Sequence, residues 1–278
     1  MFVALVPRFR GDDKKEQHIA QTDRGGKLNF LFLVLNLVLS LAFHVLASDE
    51  PKKPEAQHWS FATPLGTFER AELQRGFQVY KEVCGACHGL AQVRFRELKG
   101  LGFNEKQIKA LASTYQVQDG PNEEGDLYQR PGRPGDVIPS PFPNEQAARA
   151  ANAGAYPLDL SLIAKAREHG PNYLYALLIG YEDCPKDVTL FEGKHYNPYF
   201  QGGQISMPPP LREGLLIYSD GTPATIPQMA HDVTAFLTWV AEPDLEQRHE
   251  MGIKVLLFLL ILTVLLYGVY QALWKRVR

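Results

Sequence analysis

Cysteine is scarce in this chain: 278 residues hold three. Cys84 and Cys87 form a C-x-x-C pair, and Cys184 stands alone. A zinc site needs four ligands, and a single further thiol does not complete the pair. A dithiol redox pair opens a helix that follows a strand, and no strand pattern precedes Cys84. Basic residues are not in excess either. Lys and Arg number 29 against 31 Asp and Glu, a formal net charge of −2, which argues against nucleic acid as a partner. Methionine is nearly as rare, with four, so a sulfur ligand has few places to come from. Long uncharged apolar runs are confined to two segments, one towards each end. About 200 residues lie outside them and the basic N-terminal stretch, enough for one core.

The paired cysteines belong to the run Cys84-Gly85-Ala86-Cys87-His88. A C-x-x-C-H run is the attachment signature of a c-type haem. Two thiols three residues apart can add to the two vinyl groups of one porphyrin, and the imidazole that follows is placed against the iron. The expected cofactor is one covalent haem c, and the expected chemistry is electron transfer. A haem peroxidase needs an open iron position and usually a second haem site, and the single motif argues against it. A membrane-tethered thiol oxidoreductase is the other alternative, and it would carry no haem. Cys184 is left as an unpaired thiol with no assigned role.

The first apolar segment, 28–47, follows Arg24 and Lys27 and ends in Val45-Leu46-Ala47. This fits a secretory signal over 1–47 with a small-residue cleavage site, although both the preceding stretch and the apolar run are long for one. A retained anchor is the alternative. The second segment, 255–274, has no formal charge and would cross ~30 Å as a helix. Tyr267, Tyr270 and Trp274 suit an interfacial belt, and Lys275, Arg276 and Arg278 follow at once. By the positive-inside rule the tail 275–278 stays in the cytoplasm, 251–274 is the single span, and 48–250 lies in the periplasm outside a bacterial inner membrane.

Charge is uneven once the targeting parts are set aside. Residues 48–250 carry 19 Lys and Arg against 27 Asp and Glu, a balance of −8. The runs Asn122-Glu123-Glu124-Gly125-Asp126 and Glu182-Asp183 can present a negative face that steers a basic partner; a merely solubilising surface is the alternative.

Helical spacing appears at both ends of this region. Thr67 is placed to cap a helix in which Leu73, Phe77 and Tyr80 recur, leading into the cysteines. Val233, Phe236, Leu237 and Val240 repeat after Pro227, and Pro243 stops them. Gly76 would let a second helix approach closely, with Phe236 and Trp239 supplying bulk, the way small c-type cytochromes cross their terminal helices. Asp159 to Glu168 and Tyr173 to Ile179 read as two more helices. Pro, Gly and acidic residues dominate 120–144 and 183–214, so long loops are expected there, wrapping a cofactor or meeting partners.

The second axial ligand decides the redox behaviour. Met1 falls within the signal, Met251 at the membrane edge and Met229 near a helix start, which leaves Met207. It lies in Gly202-Gly203-Gln204-Ile205-Ser206-Met207-Pro208-Pro209-Pro210, where glycines permit close approach and prolines stiffen the loop. Met/His ligation raises the potential, as an electron carrier on the oxidising side of a chain needs. His195 or His231 as a bis-histidine partner is the alternative.

Several blocks in order resemble the cytochrome c1 family, the c-type haem subunit of quinol–cytochrome c oxidoreductase. They are 75–80 before the motif, 147–163, Tyr196-Asn197-Pro198-Tyr199-Phe200 with the Gly-Gly-x-x-x-Met run, Asp220-Gly221-Thr222-Pro223-Ala224-Thr225, and the C-terminal anchor. The resemblance implies a mainly α, cytochrome c-like haem domain with long loops plus one C-terminal transmembrane helix. It implies Cys84 and Cys87 as thioether cysteines, His88 and Met207 as axial ligands, and Arg149 on a haem propionate. It also implies a backbone carbonyl, sought in 139–143, that orients the His88 ring. The partners implied are cytochrome b, a Rieske iron–sulfur protein and a soluble basic cytochrome c. The family's usual pair of prolines is Tyr156-Pro157-Leu158 here, and Cys184 cannot form the disulfide that some bacterial relatives carry.

Overall fold

The computed structural model describes residues 50–186 and 188–275. The expected signal segment lies outside them. Two helices cross at the centre of the domain: α1, Arg70–Glu82, and α5, Ile226–Ala241. Gly76 sets the crossing, since a Cβ there would lie 2.1 Å from the Asp232 carbonyl oxygen and 2.6 Å from Phe236 Cβ. Absence of a side chain lets the backbones approach, and the flanking rings seal the contact. Phe77 and Tyr80 place their rings 5.6 and 5.9 Å from that of Phe236. Leu73, Val79, Met229 and Val233 fill the same core. Phe236 supplies the expected bulk directly at Gly76; Trp239 stacks on Phe236 at 6.2 Å and packs over Gly100, where a Cβ would be 2.6 Å from its ring.

The elements between these helices are short. After α1 come a 3-10 turn at Cys84–Ala86, β1 (Leu90–Arg94), a 3-10 segment (Phe95–Leu101) and α2 (Glu105–Ser113). A hairpin, β2 (Gln116–Asp119) with β3 (Tyr128–Pro131), carries the acidic run at its exposed tip. β4 (Val137–Ile138) pairs antiparallel with β1. Helices α3 (Glu145–Ala151) and α4 (Gly170–Ile179) follow, and α4 packs on α5. The last pair is β5 (His195–Tyr196) with β6 (Gln204–Ile205). The strands are too short to make layers of their own, and the fold is mainly α with long loops.

Two expected helices differ. Residues 159–168 form successive turns rather than a helix, because the Asp159 carboxylate accepts from the amides of Ala91 and Ser161, at 2.7 and 2.9 Å, and holds the chain in another conformation. Thr67 does not cap α1, which begins after Glu69 with no side-chain cap. The amide of Phe68 and the guanidinium of Arg70 bond the two oxygens of Glu246, at 2.8 and 2.6 Å. Glu246 belongs to α6, Leu245–Trp274. His249 Nδ1 also donates to the Gly66 carbonyl, at 3.1 Å. The first turns of α6 are thus docked on the domain, and from Met251 onward its large apolar side chains are exposed. Its 30 residues are long and apolar enough to cross a membrane.

Buried charge on the central pair is neutralised locally. Asp232 is fully buried and takes both Nε and Nη2 of Arg75, at 3.0 and 2.9 Å, with Gln228 at 3.0 Å. Beside it the carboxylate of Glu72, on α1, is also buried, and its Oε1 lies 2.6 Å from Nδ1 of His231 in an ion pair. His231 stacks on Trp59 at 4.4 Å between centroids and so fastens the strap 50–61 across the helices. The hydrogen bond to Glu72, opposed by burial, raises the imidazole pKa above its ordinary value.

Two expectations follow. Gly76→Ala should lower stability by about 1–3 kcal/mol through overpacking against backbone, read as a reduced thermal midpoint. The Glu72–His231 contact should stabilise fully below about pH 6.5, the unfolded imidazole value, and fade as pH rises through the raised folded-state pKa. The difference in thermal midpoint between the chain and a His231→Gln variant should therefore shrink on going alkaline; a constant difference would show that the ring is not protonated in the fold.

Candidate functional site

The carboxyl end of α1 closes into one turn that gathers the motif. The amides of Cys87 and His88 both donate to the Cys84 carbonyl, at 3.0 and 2.8 Å. Tyr80, one helical turn earlier, donates its hydroxyl to the His88 carbonyl at 3.0 Å and pins the turn against the helix. Cys84 is half-buried and Cys87 exposed. Burial pushes the Cys84 thiol up to about 12, so this sulfur disfavours the thiolate.

The His88 ring is fixed by one bond. Its Nδ1 lies 2.6 Å from the Leu158 carbonyl oxygen. A carbonyl only accepts, so Nδ1 carries the proton and the lone pair sits on Nε2, the arrangement of a ligating histidine. Burial lowers the pKa of this imidazole, which favours the neutral, metal-binding form. The orienting carbonyl is therefore Leu158, not one within 139–143. That stretch lies close by, with Ser140 Oγ 3.4 Å from a Cβ at Gly89, but it is Leu158 that the stitching of 158–161 onto 88–91 aims at the ring. The Leu160 amide donates to the Gly89 carbonyl at 2.9 Å, and Asp159 takes the Ala91 amide.

Arg149 occupies the last turn of α3. It pairs with Glu145 at 2.7 Å, donates to the Gly154 carbonyl at 3.0 Å, and lies over the Tyr156 ring at 5.5 Å. Tyr156 is two residues from Leu158, so Arg149 borders the segment that holds His88. Tyr156, Leu158 and Leu162 expose their side chains. An open apolar surface beside a neutral imidazole whose Nε2 has no partner among the described residues, with two sulfurs on the preceding turn, fits a covalent porphyrin and does not fit a bare ion.

Met207 comes from elsewhere in the chain. It follows β6, is half-buried, and accepts the Tyr181 hydroxyl on its carbonyl at 3.0 Å. No hydrogen bond or ion pair joins it to the 84–88 turn among the described residues. Of the alternatives, Met229 is fully buried core filler and Met251 is exposed on α6. His231 has both ring nitrogens engaged, by Glu72 and by the His58 carbonyl at 3.4 Å, and His195 lies in β5 opposite Ile205. Glu72, His231 and Asp232 cluster within 4.8 Å, but Arg75 and Gln228 occupy the Asp232 carboxylate, and the cluster is an ion-paired network rather than a metal site.

Sequence reasoning missed Tyr80, Leu158 and Asp159 as parts of this site. Tyr80 reads as a core position from its spacing. A backbone carbonyl carries no side-chain signal.

Comparison with known proteins identifies a family. The Cytochrome C1 family matches residues 59–277. Cytochrome c1 of Rhodospirillum rubrum is 46% identical over 87% of this chain and 95% of its own length. Cytochrome c1-2, heme protein, mitochondrial, of Solanum tuberosum is 47% identical over 84% of this chain and 91% of its own. Cytochrome b/c1 of Bradyrhizobium diazoefficiens is 48% identical over 82% of this chain, which spans 36% of that longer protein. With a C-x-x-C-H turn at the end of the central helix, a ring-orienting carbonyl and matches of this extent, the chain belongs to the cytochrome c1 family.

Proposed function

We propose that the chain is the haem-carrying electron-transfer subunit of a quinol–cytochrome c oxidoreductase. It takes single electrons from a Rieske iron–sulfur protein and hands them to a soluble basic cytochrome c, while cytochrome b is the membrane partner at which quinol is oxidised. The observation that carries this reading is the His88–Leu158 bond, which leaves Nε2 as a ligand directly after two thiols in one turn.

One haem c is the cofactor, with Cys84 and Cys87 as its thioether positions and His88 and Met207 as its axial ligands. When bound it supplies a one-electron iron couple, whose potential Met/His ligation raises. The work of the chain is then to hold, neutralise and shield. Tyr80 holds the His88 backbone and the Leu158 carbonyl orients its ring, which limits rearrangement when charge changes. Arg149 is assigned to a propionate. Its pairing with Glu145 is half-exposed and worth ~0–1 kcal/mol, so a less hydrated carboxylate can displace it. The chain makes and breaks no substrate bond and is not an enzyme by itself.

The placement proposed is a single-pass protein of a bacterial inner membrane. Residues 1–47 act as the export signal, 48–250 form the periplasmic domain, 251–274 the anchor and 275–278 a cytoplasmic tail. Lys275, Arg276 and Arg278 after the apolar run support that orientation. Glu123, Glu124 and Asp126 at the β2–β3 tip, with Glu182 and Asp183, are exposed and supply the negative surface that would steer a basic partner.

Replacing Met207 by Leu should abolish the weak far-red sulfur-to-iron band and lower the midpoint potential by a sizeable part of the roughly 0.8 V that axial ligands command. An unchanged spectrum and potential would remove Met207 as ligand. Association with a basic cytochrome c should slow by about tenfold or more between low and high salt, as screening shortens from ~10 Å at 0.1 M to ~3 Å at 1 M. A rate flat with salt would assign the acidic surface to solubility alone.

A further inference from the structure

We propose that Tyr181 is the positioning residue for Met207, fixing through the backbone where its sulfur can reach; this rests on the reading of Met207 as an iron ligand. Met207 has no regular element to hold it. β6 ends at Ile205, and Pro208 confines Met207 to extended backbone while offering no amide of its own. The Met207 carbonyl is bonded instead by the Tyr181 hydroxyl, at 3.0 Å. Tyr181 lies two residues beyond α4, and its hydroxyl is the tie between the end of that helix and the ligand residue.

A second fixed point lies at the other end of the same segment. Asn197 is fully buried, donates from Nδ2 to the Leu177 carbonyl on α4 at 2.8 Å, accepts from the Tyr199 amide at 3.1 Å, and donates its own amide to the Gly203 carbonyl at 2.9 Å. Gly202 and Gly203, with φ of +75° and +70°, make the turn that brings the chain back. The Tyr199 ring lies so close to Gly180 that a Cβ there would be 2.4 Å from it. The β5–β6 hairpin is thereby seated on the end of α4. Lys194 Nζ braces Ser206, next to the ligand, at 2.6 Å.

Asn197 and Tyr181 thus hold residues 197–207 at both ends, the first to Leu177 on α4 and the second to the chain two residues beyond that helix. Asn197 sets the seat of the hairpin and Tyr181 the exit, so loss of the hydroxyl frees the backbone that carries the sulfur without unseating the hairpin. A neutral thioether competes for iron against any small ligand, and the competition depends on how far its backbone is pre-positioned.

The test uses the full-length, haem-loaded chain in its native complex, with imidazole as the competing ligand of the oxidised protein. Tyr181→Phe should bind imidazole about tenfold more tightly than the parent, within the range typical of lost outer-sphere partners. It should also show a weakened far-red band and a lowered midpoint potential. Tyr175→Phe, which removes a hydroxyl from α4 itself, should match the parent in all three. If Tyr181→Phe keeps the parent's imidazole affinity and potential, the proposal is overturned. If it fails to load haem, 3-fluorotyrosine at position 181, the same shape with a stronger donor, should weaken imidazole binding, and an unchanged affinity there overturns the proposal equally. A parent protein that lacks the band, with Met207→Leu spectrally identical to it, would instead overturn the ligand reading itself.

Discussion

The close crossing of α1 and α5 at Gly76 is the constraint from which the rest of the domain is hung. α1 runs directly into the Cys84–Ala86 turn, so its position sets that of the two sulfurs and of His88. α5 is the surface on which α4 packs, and α4 in turn seats the hairpin that leads to Met207. The two proposed axial ligands come from segments more than a hundred residues apart, and the common reference between them is this one helix pair. A side chain at position 76 would therefore act on both at once: it would tilt the helix bearing one ligand against the helix that supports the other.

Such tight approach brings backbone and charge into a dry interface, and the polar residues around it follow from that. Asp232 is on the face of α5 turned to α1, where an unpaired carboxylate would be strongly unfavourable. Arg75 answers it with a bidentate contact from the residue beside the crossing glycine. Arg75 also reaches Asp220, at 2.9 Å, in the loop that enters α5. One guanidinium thus neutralises the buried acid and ties down the approach to its helix. Glu72, one turn earlier, is balanced by His231 in the same manner, and because the balancing group is an imidazole the fastening of the strap 50–61 responds to pH.

How far the sequence led depended on which atoms carried the information. The α1–α5 pair was legible because both its periodicity and its one permissive glycine are side-chain facts, and the C-x-x-C-H run was legible because its chemistry fixes residue types at fixed spacing. Asp159 shows where that stops. Its neighbours read as helical, but its carboxylate is taken by the amides of Ala91 and Ser161, and nothing local announces a partner 68 residues away. Leu158 contributes only a carbonyl, so no residue type marks it. Thr67 looked like a cap; the carboxylate at the entry to α1 comes from Glu246, on a helix that pattern reading treats as a membrane anchor and nothing more.

That last contact bears on how electrons would reach and leave the site. Glu246 and His249 bind residues 66–70 at the entry to α1, and Glu242 at the end of α5 is paired with both Lys165, at 2.9 Å, and Arg248. The anchor is therefore continuous with the domain through charged contacts on both sides of the junction, and it lacks the glycine- or serine-rich stretch that a flexible tether requires. Direct packing of the first turns of α6 on the domain, with no intervening linker, favours a fixed mount over a swinging one. On the proposed function, the travel between donor and acceptor then belongs to the partners. On that reading the partners would meet the domain at fixed surfaces, among them the exposed acidic tip of the β2–β3 hairpin, with one proposed ligand placed by α1 and the other by the hairpin that α4 seats.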